Sequence, residues 1–134
     1  MKISKRTKTI LISISAPLLF IIAFVIVIAI YFTSHKPPEI QVMSTGFIPR
    51  TIEIPEGETI RFVNPSSTLT QTLCLGINQH CDPNQLLPRA IASPGVRIPP
   101  DQSKDVVFDT YGTFTITSTS VPGINLTVTV DAAD

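Results

Sequence analysis

Within residues 40–130, several segments place apolar side chains at every second position, a period that belongs to strands with one buried face. The clearest case is Ile124, Leu126, Val128 and Val130, which alternate with Asn125, Thr127 and Thr129. Thr51, Ile52, Glu53 and Ile54 alternate in the same way, and so do residues 59–64, with Ile60 and Phe62 inward. The intervening Pro55-Glu56-Gly57-Glu58 has turn chemistry, so these two segments are expected to form a hairpin. Further strands are expected at residues 69–75, 104–109 and 113–118, and helical spacing is absent. Between Gly76 and Gln102 stand Pro83, Pro88, Pro94, Pro99 and Pro100 with little alternation. That stretch is expected to be a long surface loop with room for one short edge segment. A segment of this length makes one domain, near the size at which an antiparallel sandwich closes a core.

The N-terminal part has the opposite character. Residues 9–32 contain no charged residue, and about 20 apolar residues suffice to cross a bilayer as a helix. Ser13, Ser15 and Pro17 interrupt the run, yet hydroxyls bond back to a helix and proline is tolerated in membrane helices. Lys2, Lys5, Arg6 and Lys8 precede it, and a basic cluster stays on the cytoplasmic side. The expected organisation is a cytoplasmic N-terminus (1–8), a transmembrane signal anchor (9–32), a Pro-containing linker (33–39) and an extracytoplasmic domain (40–134). The chain would then cross the cell membrane once, with His35 at the interface. A cleavable signal peptide is the alternative, but its apolar region runs about 7–15 residues before a small-residue cleavage site. Tyr31-Phe32-Thr33-Ser34-His35-Lys36 offers no such site.

The formal net charge of zero conceals this asymmetry. Four of the ten Lys and Arg lie in the first eight residues, leaving six against all ten Asp and Glu in the rest. A mildly acidic exterior argues against nucleic-acid binding, which needs a clustered basic face.

Cys74 and Cys81 are the two cysteines of the chain. Both fall in the part expected outside, where oxidising conditions favour a disulfide. Closing so short a loop contributes about 2.5 kcal/mol in the chain-entropy model. The alternative is free or metal-bound thiols with His80 between them, although structural zinc normally takes four protein ligands and only three donors stand here.

Two stretches resemble a known family. Residues 46–64 (Gly46-Phe47-Ile48-Pro49-Arg50-Thr51-Ile52-Glu53-Ile54-Pro55-Glu56-Gly57-Glu58-Thr59-Ile60-Arg61-Phe62-Val63-Asn64) are similar to the opening of plastocyanin- and amicyanin-like cupredoxins. Phe108-Asp109-Thr110-Tyr111-Gly112-Thr113-Phe114 is similar to their approach to the final hairpin. The resemblance implies an all-β fold, a cupredoxin-like Greek-key β-sandwich preceded here by one N-terminal transmembrane helix. Family copper sites use two His, a Cys thiolate and a weak axial Met. On the amicyanin-like spacing the Cys position carries Ser118, the second His position Val121 and the Met position Ile124, with Thr70 at or near the first His. Two hydroxyls and two hydrocarbon side chains offer neither thiolate nor imidazole, so the resemblance implies a degenerate member without blue copper and without a cofactor. Val121 and Ile124 are expected to fill the vacated space as core. The alternative is copper in an unorthodox site made of Cys74, His80, Cys81 and Met43. Cys74 lies four residues beyond Thr70, roughly 13 Å along a strand, and so outside the former pocket.

Other residues are read without a special role. Glu53, Glu56 and Glu58 surround a turn and form a solvated face. Asn125-Leu126-Thr127 matches a glycosylation acceptor but falls in an expected strand. Neither histidine has a partnering Ser and Asp arrangement, so the chain is not read as an enzyme. The function expected is that of a binding or structural module, held to the membrane by its helix and meeting a protein or small ligand outside through residues 76–102 or 119–123. Copper-binding electron transfer or copper handling is the alternative.

Overall fold

A computed structural model describes residues 5–34, 36–85, 88–92 and 94–133, with the side chains of residues 17–31 in the N-terminal helix. His35 and residues 1–4 of the basic N-terminus lie outside the described residues. The chain divides into two compact units, residues 1–36 and 37–134.

The first unit is a helix, α1 (Lys5–Ser34), with Pro17 inside it. The described side chains of this helix are exposed, among them Phe20, Phe24 and Tyr31. Among the described residues no helix is long and apolar enough to cross a membrane.

The second unit is a sandwich of two sheets. One sheet runs β2 (Gly46–Ile48), β1 (Glu39–Met43), β4 (Glu58–Asn64), β8 (Gln102–Phe108), in that spatial order. The other runs β3 (Thr51–Pro55), β10 (Asn125–Asp131), β9 (Gly112–Ser118), β5 (Gln71–Ile77), β6 (His80–Cys81), with β7 (Val96–Ile98) also on β5. The alternation read from the sequence places the core where it was expected. Ile60 and Phe62 from one sheet face Leu126 and Val128 from the other, all fully buried. Each such side chain contributes about 1.5–3 kcal/mol by leaving water.

Three expectations are corrected. Residues 51–54 and 59–64 do not form a hairpin: β3 pairs in parallel with β10, while β4 pairs with β1 and β8. The turn between them steps from one sheet to the other. Glu56 N–H donates to the Asp131 carbonyl (2.9 Å) in the second sheet, and Gly57 N–H to the Phe108 carbonyl (2.7 Å) in the first. Alternation specifies which face is buried and leaves the partner open, so Ile54 and Ile60 both reach the core from opposite layers.

The sandwich is also not wholly antiparallel, since β1–β4 and β3–β10 are parallel. Nor is the stretch 76–102 simply a surface loop. It supplies β6, β7 and a short 3-10 turn, Arg89–Ile91, and it places Ile91 and Ile98 fully in the core. Single buried residues between prolines carry no period, which is why the pattern missed them. β1, with Ile40 and Val42 buried, was likewise not singled out as a strand.

Candidate functional site

The β9–β10 hairpin is where the cupredoxin resemblance assigns metal ligands. Ser118 closes β9, opposite Leu73 of β5, and is fully buried. Its hydroxyl donates to Gln71 Oε1 at 2.7 Å, and its oxygen accepts from Ser120 N–H at 3.2 Å. Gln71 lies two residues before Leu73 on the same inward face of β5, which brings it diagonally against Ser118. Thr70, the neighbour of Gln71, is half-buried and of opposite parity. Its carbonyl, not its side chain, meets the hairpin, accepting from the Ser120 hydroxyl at 2.9 Å. Thr119 N–H donates to the Thr72 carbonyl at 2.9 Å. The structure thus brings Ser118 to Gln71, a residue the sequence reading passed over. Its signal was a polar side chain at an inward position of a strand otherwise apolar on that face.

Val121 and Ile124 are each 8% exposed and belong to the hydrophobic core. Thr117 fastens the hairpin further, donating to the Ile124 carbonyl at 3.2 Å and accepting from Gln79 N–H at 3.0 Å. The turn holding Gln79 has Asn78 and Gln79 at positive φ, 51° and 67°, the mirror-type turn that suits a tight hairpin.

Copper does not fit these residues. Gln71 Oε1 already accepts a short hydrogen bond, Ser118 is neutral, and Val121 and Ile124 have no donor atom, whereas copper sites of this family are built on thiolate and imidazole. The unorthodox donor set fares no better geometrically. Cys74 and Cys81 are joined in a disulfide with Cα atoms 5.5 Å apart, so neither offers a thiolate. His80 is exposed on β6, and Met43 belongs to the other sheet. Among the described residues no group of three or more His, Cys, Asp or Glu is placed to hold a metal.

A second buried polar residue organises the same part of the sandwich. Asn64, fully buried at the end of β4, donates from Nδ2 toward the carbonyls of Leu69 (2.7 Å), Ile98 (3.0 Å) and Pro99 (3.2 Å). Its Oδ1 accepts from Ser66 N–H at 3.1 Å. Elsewhere, on the outer face of the first sheet, Arg61 forms a two-pronged pair with Asp105 (2.9 and 3.1 Å). Those hydrogen bonds hold the Asp105 carboxyl below its ordinary range. Glu53 is exposed. Asn125 is half-buried in β10, where its Oδ1 accepts from Asn78 N–H at 3.2 Å.

No protein-family model matches the chain, and no curated protein does. Solved structures do match. Amicyanin from Paracoccus versutus (Thiobacillus versutus) superposes with a TM-score of 0.55 at 15% identity, over 72% of this chain and 82% of that one. A copper-containing nitrite reductase from Thermus scotoductus SA-01 gives a TM-score of 0.55 at 18% identity, over 74% of this chain and 23% of that one. The likeness shows the fold: the domain is a cupredoxin-like β-sandwich.

Proposed function

We propose that this chain is a membrane-anchored extracytoplasmic module on a cupredoxin-like scaffold, acting in binding or structure, without blue copper and without enzymatic activity. The observation that carries it is the buried Ser118–Gln71 hydrogen bond on a hairpin whose Val121 and Ile124 belong to the hydrophobic core. A hairpin that would otherwise present soft donors is here a satisfied piece of core. The anchor is supported by the charge-free run 9–32 inside a helix of 30 residues. The basic residues before it set its orientation, and the disulfide suits an oxidising compartment.

The test is a titration of the full chain in detergent with Cu(I) and Cu(II), in oxidised and reduced form, with metal analysis after exchange. The expected result is no stoichiometric copper on the oxidised protein. Stoichiometric copper that persists in a Cys74→Ser/Cys81→Ser variant would overturn the metal-free reading. Protease added to intact cells should remove the domain and leave the helix in the membrane fraction; protection of the domain would overturn the orientation.

A further inference from the structure

Gln71, which meets Ser118, also lines a cleft of about 350 Å³ at this end of the sandwich. The hydrogen-bond chain orients its amide. Ser118 Oγ accepts from Ser120 N–H, so its own proton is left to donate, and it goes to Gln71 Oε1. The reversed amide would present an N–H to that oxygen and strand the hydroxyl proton. Gln71 is 1% exposed, and among the described residues its Nε2 has no partner. Among the described residues no fully buried side-chain nitrogen or oxygen lacks a partner. Nε2 therefore keeps a small accessible surface, and Gln71 is one of the residues that line the cleft.

The walls of the cleft are in place before any ligand arrives. Val42 and Met43 form one side at the end of β1, and Pro65 and Leu69 form the other on the loop after β4. That loop is pinned throughout. Asn64 holds Ser66 N–H and the Leu69 carbonyl, Ser66 Oγ accepts from Thr68 N–H and Leu69 N–H, and Asp101 N–H donates to the Ser66 carbonyl. A rigid site saves the ordering cost that weakens binding by mobile loops. The volume falls at the small end of the range for ligand pockets, about 300–1,000 Å³. Among the described residues the remaining lining is serine, and none of the lining side chains is charged.

We infer that this cleft binds a small neutral molecule joining a hydrogen-bond-accepting carbonyl to an apolar ring or branched chain, the carbonyl taking the Gln71 Nε2 hydrogens. An anion or cation would lose hydration in a cleft with no countercharge. The inference names a ligand class for the module proposed above, and it rests on that reading in taking Gln71 and Ser118 as free of metal.

The test uses the ¹⁵N-labelled full chain in detergent micelles, followed at the Gln71 side-chain amide, whose resonance is assigned by its loss in Gln71→Glu. Benzamide is the probe and benzoate its anionic isostere. Benzamide should give a weak but saturable shift at Gln71 Nε2 and at the Met43 methyl, and benzoate should bind about tenfold more weakly or worse. Leu69→Trp, at a wall position 39% exposed and outside the core, should abolish the shift by filling the cleft. No saturable shift with benzamide, equal binding of benzoate, or binding unaffected by Leu69→Trp would each overturn the inference. Cu(I) added to a parallel sample separates the two readings. Copper-induced shifts at Gln71 and the Ser118 backbone overturn the metal-free module, whereas silence toward copper together with silence toward benzamide overturns the ligand alone.

Discussion

Replacing Asn64 by Ala should cost about 3 kcal/mol, and the figure follows from the atoms it strands. The Nδ2 group lies within hydrogen-bond distance of three carbonyls, of which Ile98 O is buried while Leu69 O and Pro99 O are partly so. An unsatisfied buried acceptor costs about 1–3 kcal/mol, and a replaceable, water-reachable hydrogen bond about 0.5–1.5 kcal/mol. Ile98 O takes the larger penalty. The other two carbonyls and Ser66 N–H, which loses its acceptor, take smaller ones. For a domain of this size 1 kcal/mol lowers the melting temperature by about 4–8 °C, so the fall should be about 12–24 °C. The assay is thermal and urea denaturation of the full chain followed by circular dichroism, with an unchanged m value showing that stability alone has moved.

Asn64→Asp sharpens the test, because it keeps an acceptor for Ser66 but sets a carboxylate among three carbonyl oxygens. It should lose more than Asn64→Ala at neutral pH. It should then recover as the pH falls through the raised pKa of that carboxyl, since the protonated acid can donate. A loss below about 1 kcal/mol for Asn64→Ala, or a stable Asn64→Asp at neutral pH, would refute the account of Asn64 as the tie between β4, β7 and the following loop.

Removing the disulfide by Cys74→Ser/Cys81→Ser should cost up to about 2.5 kcal/mol for a loop of this length. It should also make residues 76–85 the first site of limited proteolysis, since β6 pairs with β5 at only two positions. Gly95→Ala should reduce the yield of folded protein sharply. At φ 96° its Cβ would collide with the Leu73 carbonyl oxygen, and a wild-type melting curve would contradict that packing. If Gln71 occupies the place across from Ser118, then Gln71→His with Ser118→Cys, Val121→His and Ile124→Met should gain Cu(II) with a thiolate charge-transfer band in the visible. The same set built on Thr70→His should not. The Asp105 carboxyl should titrate below the ordinary carboxylate range in an NMR pH titration. A depressed folded-state pKa adds stability above the unfolded value that is lost as pH falls through the folded one. Because both partners are nearly half exposed, that increment should be small and should fade in high salt.

Much of the fold was legible because burial in a sandwich writes itself as alternation. Ile124, Leu126, Val128 and Val130 were assigned to one face, and all are buried. The segments read as strands at residues 69–75, 104–109 and 113–118 overlap β5, β8 and β9, with ends displaced by at most two residues. The hairpin between β3 and β4 was misread because Pro55-Glu56-Gly57-Glu58 is a turn in either case. What distinguishes a hairpin from a step between sheets is the partner of Glu56 and Gly57, and those partners, Asp131 and Phe108, lie far along the chain. Ile91 and Ile98 escaped for a related reason: a single apolar side chain between prolines shows no period, however deeply it is buried.

At the candidate site the sequence alone determined that no cysteine, histidine or methionine stands at residues 118, 121 or 124. It also determined the charge-free N-terminal run and its basic flank, and the alternation that makes the rest a sandwich. Which residue faces Ser118 was decided by the tertiary structure. Cross-strand neighbours are fixed by register, and the β5–β9 register that sets Leu73 against Ser118 carries Gln71, not the Thr70 side chain, into the gap. The parallel partners, the sheet-switching turn and the cleft behind Gln71 share that cause. Each depends on contacts between segments tens of residues apart, and local pattern contains no information about distant register.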